Sequence, residues 1–301
     1  MAEPLVIIDR LQTCFDTDEG VVRAVDDVSL VIPRGKTLGL VGESGCGKSV
    51  TALSVIGLVG PPGRIAGGRI TLLENGRPVV LTELTESDMR KIRGAVVSMV
   101  FQEPMTSLNP VFTIGAQIVE AIRLHQHVGR SEARRRAVDM LRKVGIPEPA
   151  SRALDVTIQA QILELLRKLQ SDVGMSILFI THDLGVIAEM ADEVAVMYAS
   201  KVVEQAAVEE LFARHLHPYT CLLFKSRPRL ITAERAGQEK LDTIEGMVPS
   251  PLRFPAGCKF HPRCPFRQAI CASEEPPLRE VRPGHLARCH FAGKLEMKAG
   301  D

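Results

Sequence analysis

Apolar positions along the chain change period several times, and each change marks an element. Leu5–Ile8 and Val28–Ile32 are short apolar runs that predict strands, with a polar turn at Asp16–Gly20 between them. Thr37–Val41 predicts a short buried strand, followed by a Gly-rich loop and a helix over about Lys48–Leu58. Gly60–Gly68 reads as a Pro/Gly loop, with short strands at Arg69–Leu73 and Val79–Leu81. Glu86–Arg93 predicts a short helix and Ala95–Phe101 a strand. Thr113–Gln126 and Ser131–Val144 predict two amphipathic helices. The second carries Arg134, Arg135, Arg136, Arg142 and Lys143, a solvated basic face. In Asp155–Asp172, Ile158, Ile162, Leu165, Leu166 and Leu169 recur at helical spacing. Ser176–Ile180 predicts a buried strand, Leu184–Met190 a helix and Glu193–Val203 a hairpin. After Gln205 the periodicity fades, Pro, Arg and Cys rise, and a tail domain is expected from near Pro218. Strands alternating with helices through residue 203 predict an α/β fold with a largely parallel sheet.

Composition narrows the function classes. The 301 residues are 45% hydrophobic and 24% charged, enough apolar material for a sizeable core, and length alone suggests about two domains. A net charge of +1 gives no strong pull toward nucleic acid or an anionic membrane. MAEPLVIIDRLQ lacks the basic and apolar regions of a signal peptide, and no apolar run is long enough to span a bilayer. The expectation is a cytosolic chain whose seven cysteines are reduced.

Gly42-Glu43-Ser44-Gly45-Cys46-Gly47-Lys48-Ser49 fits the phosphate-loop pattern, and it lies between a predicted strand and a predicted helix as that pattern requires. Glycines let backbone N–H groups turn toward phosphate oxygens, and the helix N-terminus adds partial positive charge. Lys48 would reach the β- and γ-phosphates and the Ser49 hydroxyl would ligate Mg²⁺. Cys46 fills a variable slot as a small residue.

Around this loop the chain resembles the ATP-binding-cassette ATPases. FQEPMTSLNP (101–110) is similar to their glutamine loop, ALD (153–155) with VTIQAQILELL to their D-loop and its helix, and FITHDLG (179–185) to their switch strand. With HPYTCLL (217–223) and GCKFHPRCPFRQAIC (257–271), the chain resembles the ATPase subunits of dipeptide, oligopeptide and nickel importers over nearly its whole length. The resemblance implies a phosphate-loop parallel sheet with N-terminal antiparallel strands and a helical subdomain over about residues 111–152. Residues 1–217 would form the nucleotide-binding domain and 218–301 an irregular importer-type extension. It also implies roles. Gln102 would sense γ-phosphate and Mg²⁺, Asp155 would belong to the D-loop, and His182 would contact γ-phosphate or orient water. Phe15 lies where an adenine-stacking aromatic would sit. The implied partners are a second ATPase subunit, transmembrane permeases and, indirectly, a periplasmic or extracellular substrate-binding protein. Nucleic acid is not among them, and the implied location is the cytoplasmic face of the membrane.

Two family motifs have no match. Residues 111–152 contain no Ser-Gly-Gly signature, and no apolar run ends in an acidic pair before Ala153. A helix, a strand and their loops, several tens of residues, are missing. The helical subdomain is therefore expected to be truncated and hydrolysis impaired, since a positioned general base is worth ~10²–10⁴ in rate. A non-hydrolysing regulatory remnant is the alternative. Without the missing strand, Ala95–Phe101 and Ser176–Ile180 are expected to pair directly.

Cys258, Cys264, Cys271 and Cys289 are spaced C-x5-C-x6-C-x17-C. Four thiols in a reducing compartment suit a soft metal or an iron–sulfur cluster, and the spacing is not that of a zinc ribbon. The importer resemblance implies a [4Fe–4S]-binding segment. Zinc and unliganded or disulfide-bonded thiols stay open, and His261, His285 and His290 lie nearby.

Overall fold

Thr37–Val41 is buried at all five positions. A strand apolar on both faces needs cover on both, which places it inside a parallel sheet. In the computed structural model, which describes residues 3–74, 76–100, 113–143, 158–226, 244–295 and 297, it does lie there. Along the chain come β1 (Pro4–Thr17), β2 (Gly20–Pro33), β3 (Thr37–Val41), α1 (Lys48–Val55), β4 (Gly63–Glu74), β5 (Arg77–Val80), α2 (Glu86–Ile92), α3 (Ile114–Gln126), α4 (Arg130–Lys143) and α5 (Ile158–Val173). They are followed by β6 (Ile177–Ile180), α6 (Leu184–Met190), β7 (Glu193–Tyr198), β8 (Lys201–Ala207), α7 (Val208–Ala213), α8 (Pro218–Lys225), α9 (Ala269–Ser273), β9 (Arg279–Arg282) and β10 (His285–Ala287).

The chain divides into two compact units, one of residues 1–83 and 175–301, the other of residues 84–174. The first holds two sheets. An antiparallel sheet has the order β2-β1-β4-β5, and a mixed sheet the order β6-β3-β7-β8-β10-β9. In the mixed sheet β3 runs parallel to both β6 and β7, and β7 to β10 continue antiparallel. β10, from the tail, pairs with β8 through Leu286↔Gln205 and Ala287↔Glu204. The tail also enters the core: Tyr219 and Phe260 are buried in one cluster with Val41, Ile187, Val194, Val196 and Tyr198. Tyr198 packs 4.6 Å from Tyr219 and 5.1 Å from Phe260, ring centre to ring centre.

A buried carboxylate fastens the start of the tail. Glu204 of β8, wholly inaccessible to solvent, accepts from the Leu216 and His217 N–H groups at 2.6 and 2.9 Å and lies 2.7 Å from His285 Nε2. A buried carboxylate is tolerated when several donors meet it.

The second unit contains α2 to α5. Thr113 caps α3, its side chain accepting from the Ala116 N–H, and Thr85 caps α2 through the Asp88 N–H. Ile122, Ala133 and Ala137 form the small buried seam between α3 and α4. Arg134, Arg135, Arg136 and Arg142 of α4 are exposed, and Arg136 pairs with Glu132 at i,i+4.

Three expectations are corrected here. Gly60–Gly68 is not all loop, because β4 begins at Gly63 and extends the ladder of the 14-residue β1 through Phe15↔Gly63 and Cys14↔Arg64. Ala95–Phe101 is not a strand over its described part. After α2 the chain turns at once, with the Val96 and Val97 N–H groups bonded back to the Ile92 carbonyl, and Val100 is 71% exposed. Residue 101 lies outside the described residues. Among the described residues β6 has β3 as its ladder partner, so the expected direct pairing of that segment with Ser176–Ile180 is not found there.

His217 caps α8 by accepting the Tyr219 N–H at Nδ1, 3.1 Å away, which requires an unprotonated ring. Burial pushes its pKa down to about 4 from the ordinary 6.5. The unfolded chain then binds the extra proton between those values, so the stability of this capped form is complete above pH 6.5 and is lost as pH falls toward 4. The difference corresponds to roughly 3 kcal/mol. Burial lowers His215 as well, so the comparison must isolate one residue. Urea unfolding of wild type and His217→Asn between pH 4 and 7.5 is expected to show a shallower slope in the variant, since Asn caps without titrating.

Candidate functional site

The loop Gly42–Gly47 connects β3 to α1. Its shape is set by how closely other backbone passes. Gly42, at φ 149°, has the Met197 carbonyl oxygen 2.2 Å from where a Cβ would stand, and Gly47, at φ 104°, has the Ala24 oxygen at 2.2 Å. Only glycine fits such positions. Lys48 folds back over the loop, its Nζ donating to the Gly42 and Glu43 carbonyls at 2.7 and 2.9 Å. An ammonium held on carbonyl oxygens at the mouth of a helix leaves the site a net attraction for anions. Ser44, Gly45 and Ser49 are exposed. Cys46 is buried, its thiol pushed up by burial, with Sγ 3.5 Å from Lys48 Nζ.

The sheet places His182 at the same edge. β6 is parallel to β3 with Leu40 opposite Ile180, and two residues further along each strand stand Gly42 and His182. His182 is exposed between β6 and α6, whose first turn is capped by Asp183 Oδ1 accepting from the Gly185 N–H at 2.7 Å. Phe15 sits on β1 with its ring over Gly63, 2.6 Å from that residue's notional Cβ. Thr13, two residues earlier, bonds Ser54 of α1 hydroxyl to hydroxyl at 2.9 Å. Gln102 and Asp155 lie outside the described residues.

Sequence reasoning passed over the other groups that hold the loop. Tyr219 accepts the Glu43 N–H at its hydroxyl, 2.9 Å away, and Arg263 pairs with the Glu43 carboxylate at 2.8 Å. The signal available was that both tyrosines of the chain, Tyr198 and Tyr219, are needed somewhere as polar ends of buried rings.

In the tail, Cys258, Cys264, Cys271 and Cys289 line one cavity together with Phe260, Phe266 and Phe291. The Cys258 N–H donates to the Cys271 carbonyl at 2.8 Å, tying two of them through the backbone. None of the seven cysteines is in a disulfide. Burial pushes the Cys258 thiol up to about 11 and Cys264 to about 12, and raises Cys289, with neighbouring cysteines adding to each rise. Desolvation of this kind favours the protonated thiol at Cys258, Cys264 and Cys289, and a bound cation would invert that balance. Among the described residues no three His, Cys, Asp or Glu are gathered as ligands of a single ion. No helix of the described residues is long and apolar enough to cross a membrane.

Residues 25–172 match the ABC transporter family, and residues 203–271 match the oligopeptide/dipeptide transporter C-terminal region. A putative peptide import ATP-binding protein of Brucella abortus is 45% identical over 95% of this chain and 97% of its own. The dipeptide transport ATP-binding protein DppD of Escherichia coli is 39% identical, and the oligopeptide transport ATP-binding protein AppD of Bacillus subtilis 43%, each over 95% of this chain and 96% of its own. The Brucella alignment runs over 327 positions, whereas 95% of 301 residues fills about 286, so about forty positions have no counterpart here. Among solved structures, the ABC transporter cassette MJ0796 bound to ADP and Pi has a TM-score of 0.58 over 68% of this chain and 99% of its own, at 19% identity. CbiO1 of Clostridium perfringens has a TM-score of 0.56 over 70% and 92%, at 20% identity. Both share the fold.

The close approaches grade the loop glycines. Gly42→Ala and Gly47→Ala are each expected to cost about 3 kcal/mol or more, from a strained φ plus a backbone clash. Gly45→Ala, with nothing within 4 Å of its notional Cβ, should cost about 1 kcal/mol from φ alone. Urea melts of the three variants check the order.

Proposed function

Because the chain belongs to the ABC transporter family, as an ATP-binding subunit of the peptide-import branch, we propose that it binds Mg·ATP at Gly42–Ser49 and turns it over poorly. The observation that carries this is an intact phosphate loop beside a shortfall of about forty positions against its relatives. Backbone N–H groups of the loop would cradle the phosphates, beginning with the exposed Ser44 and Gly45, and Lys48 would leave the Gly42 and Glu43 carbonyls for the β- and γ-oxygens. The Ser49 hydroxyl would hold Mg²⁺, which supplies charge neutralisation on the phosphates when bound. His182, at the same sheet edge, would contact the γ-phosphate or orient water, with Gln102 as sensor, Asp155 in the D-loop and Phe15 against the adenine.

The missing signature and acidic pair are what slow turnover in this reading. Family dimers build each site from one chain's phosphate loop and the other's signature. This chain offers a loop but no signature, so both sites of a mixed pair would be defective and a homodimer worse still. It would dock with permeases from the cytoplasmic face, serving uptake of peptides as the names of its relatives suggest. A non-hydrolysing regulatory subunit is the second reading, favoured by the same shortfall.

We also propose an iron–sulfur centre in the tail, whose four cysteines line one cavity here without being gathered as ligands of a single ion among the described residues. They are soft donors, they line one apolar cavity, and they are unpaired in disulfides. Cys258, Cys264, Cys271 and Cys289 would hold the cluster, with a structural role for the tail.

Two measurements test these readings. Purified protein should bind Mg·ATP, lose it on Lys48→Ala, and hydrolyse it below about 1 s⁻¹; turnover in the ordinary range of roughly 1–10³ s⁻¹ overturns the impairment. Anaerobically isolated protein should be brown with about four irons per chain, and Cys264→Ser should lose them. Stoichiometric zinc without iron would refute the cluster.

A further inference from the structure

Glu43 is the point of the phosphate loop at which three other segments converge. Its N–H donates to the Tyr219 hydroxyl, its carbonyl accepts from Lys48 Nζ, and its carboxylate meets Arg263. The last contact is two-pronged, Nη1 to Oε2 at 2.8 Å and Nη2 to Oε1 at 3.2 Å. A guanidinium fork fixes the orientation of a carboxylate as well as its distance. Arg263 is itself immobilised. Its side chain is 5% exposed, its Nε and Nη2 donate to the Glu245 and Ile244 carbonyls at 3.0 Å each, and Nη1 reaches the Tyr198 hydroxyl at 3.4 Å.

Arg263 also belongs to the cysteine segment. It directly precedes Cys264 and ends the single helical turn His261–Arg263 that joins Cys258 to Cys264. The Cys258 carbonyl accepts the His261 N–H at 3.0 Å and lies 2.9 Å from His261 Nδ1, and the Cys264 N–H donates to the His261 carbonyl at 3.3 Å. One tight turn thus carries two cavity-lining thiols at its ends and the loop's counter-charge on its last residue.

We propose that Arg263 is a positioning residue that couples the phosphate loop to the cysteine-lined cavity through its ion pair with Glu43. Nucleotide at the loop and ligation of Cys258 and Cys264 then alter one another's free energy, equally in both directions. The nucleotide half rests on the binding proposed for Gly42–Ser49; the mechanical half does not.

The test compares wild type, Arg263→Gln, Arg263→Lys, Glu43→Gln and the double variant Arg263→Gln/Glu43→Gln, each as the full chain with its melting temperature checked. Amide hydrogen exchange of residues 42–49, without nucleotide, is expected to rise about 5-fold or more in either Gln variant, with the double no larger than a single and Arg263→Lys in between. Iodoacetamide labelling of Cys258 and Cys264, read by mass spectrometry, should raise loop exchange in wild type and leave Glu43→Gln unchanged. Mg·ATP should slow that labelling in wild type and not in the variants, whose Mg·ATP affinity should fall about 5-fold or more. Unchanged loop exchange in both Gln variants, additive effects in the double, or loop exchange indifferent to labelling overturns the coupling. A wild type that binds no Mg·ATP overturns the nucleotide reading instead, and the exchange and labelling results still decide the coupling.

Discussion

Two carbonyl oxygens, of Ala24 and Met197, set the phosphate loop: each stands 2.2 Å from where a side chain on Gly47 or Gly42 would begin. The loop therefore lies against the backbone of β2 on one side and β7 on the other. β7 is held by its parallel ladder to β3, the strand from which the loop springs. Strand, loop and neighbours form a closed arrangement in which no one part moves alone. From the same ladder follows the position of His182, since β6 flanks β3 on its other side and points the same way. A parallel sheet delivers the ends of its strands to one edge, and ligands of such sheets gather there.

The tail is tied to this arrangement by a buried set of charges and rings. Lys259 Nζ lies 2.8 Å from Asp26 of β2 and donates to the Ala199 carbonyl at 2.9 Å. Lys201 of β8 bridges Asp26 at 3.3 Å and Glu275 at 2.8 Å. Burial alone would raise the Asp26 carboxyl, yet Lys259 and Lys201 hold it below the ordinary range. Charges withdrawn from water require such pairing, and removing one partner leaves the other stranded. The Phe260 ring, edge-on to Tyr198, brings the cysteine segment against the hydroxyl groups that reach Glu43 and Arg263. Tail and loop are thus parts of one core.

Much of this was legible in the residues. The run Thr37–Val41 announced a buried strand, and the Gly-rich pattern after it, ending in Lys48-Ser49, announced a phosphate loop. The helix read over Thr113–Gln126 is α3 within one residue of its observed start, and Leu184–Met190 was read with its observed bounds. These features are local: a period, a turn residue. Ala95–Phe101 misled because a short apolar run has no period to distinguish a paired strand from an exposed turn. Gly60–Gly68 misled because its glycines read as turn residues while β1 supplied the ladder that made most of them strand.

The sequence by itself determined the phosphate loop and much of the order of elements around it, and its resemblance pointed to the family. The loop is a matter of local spacing, which needs no tertiary contact to be read. The tertiary structure alone decided that Glu43 is shared by Tyr219, Lys48 and Arg263, and that Arg263, 220 residues away, sits on the turn between two cysteines. No periodicity encodes such a meeting. An ion pair across that separation exists because β8, β10 and the aromatic cluster fold the tail back over β7, and burial then leaves the guanidinium no better partner than the loop's carboxylate.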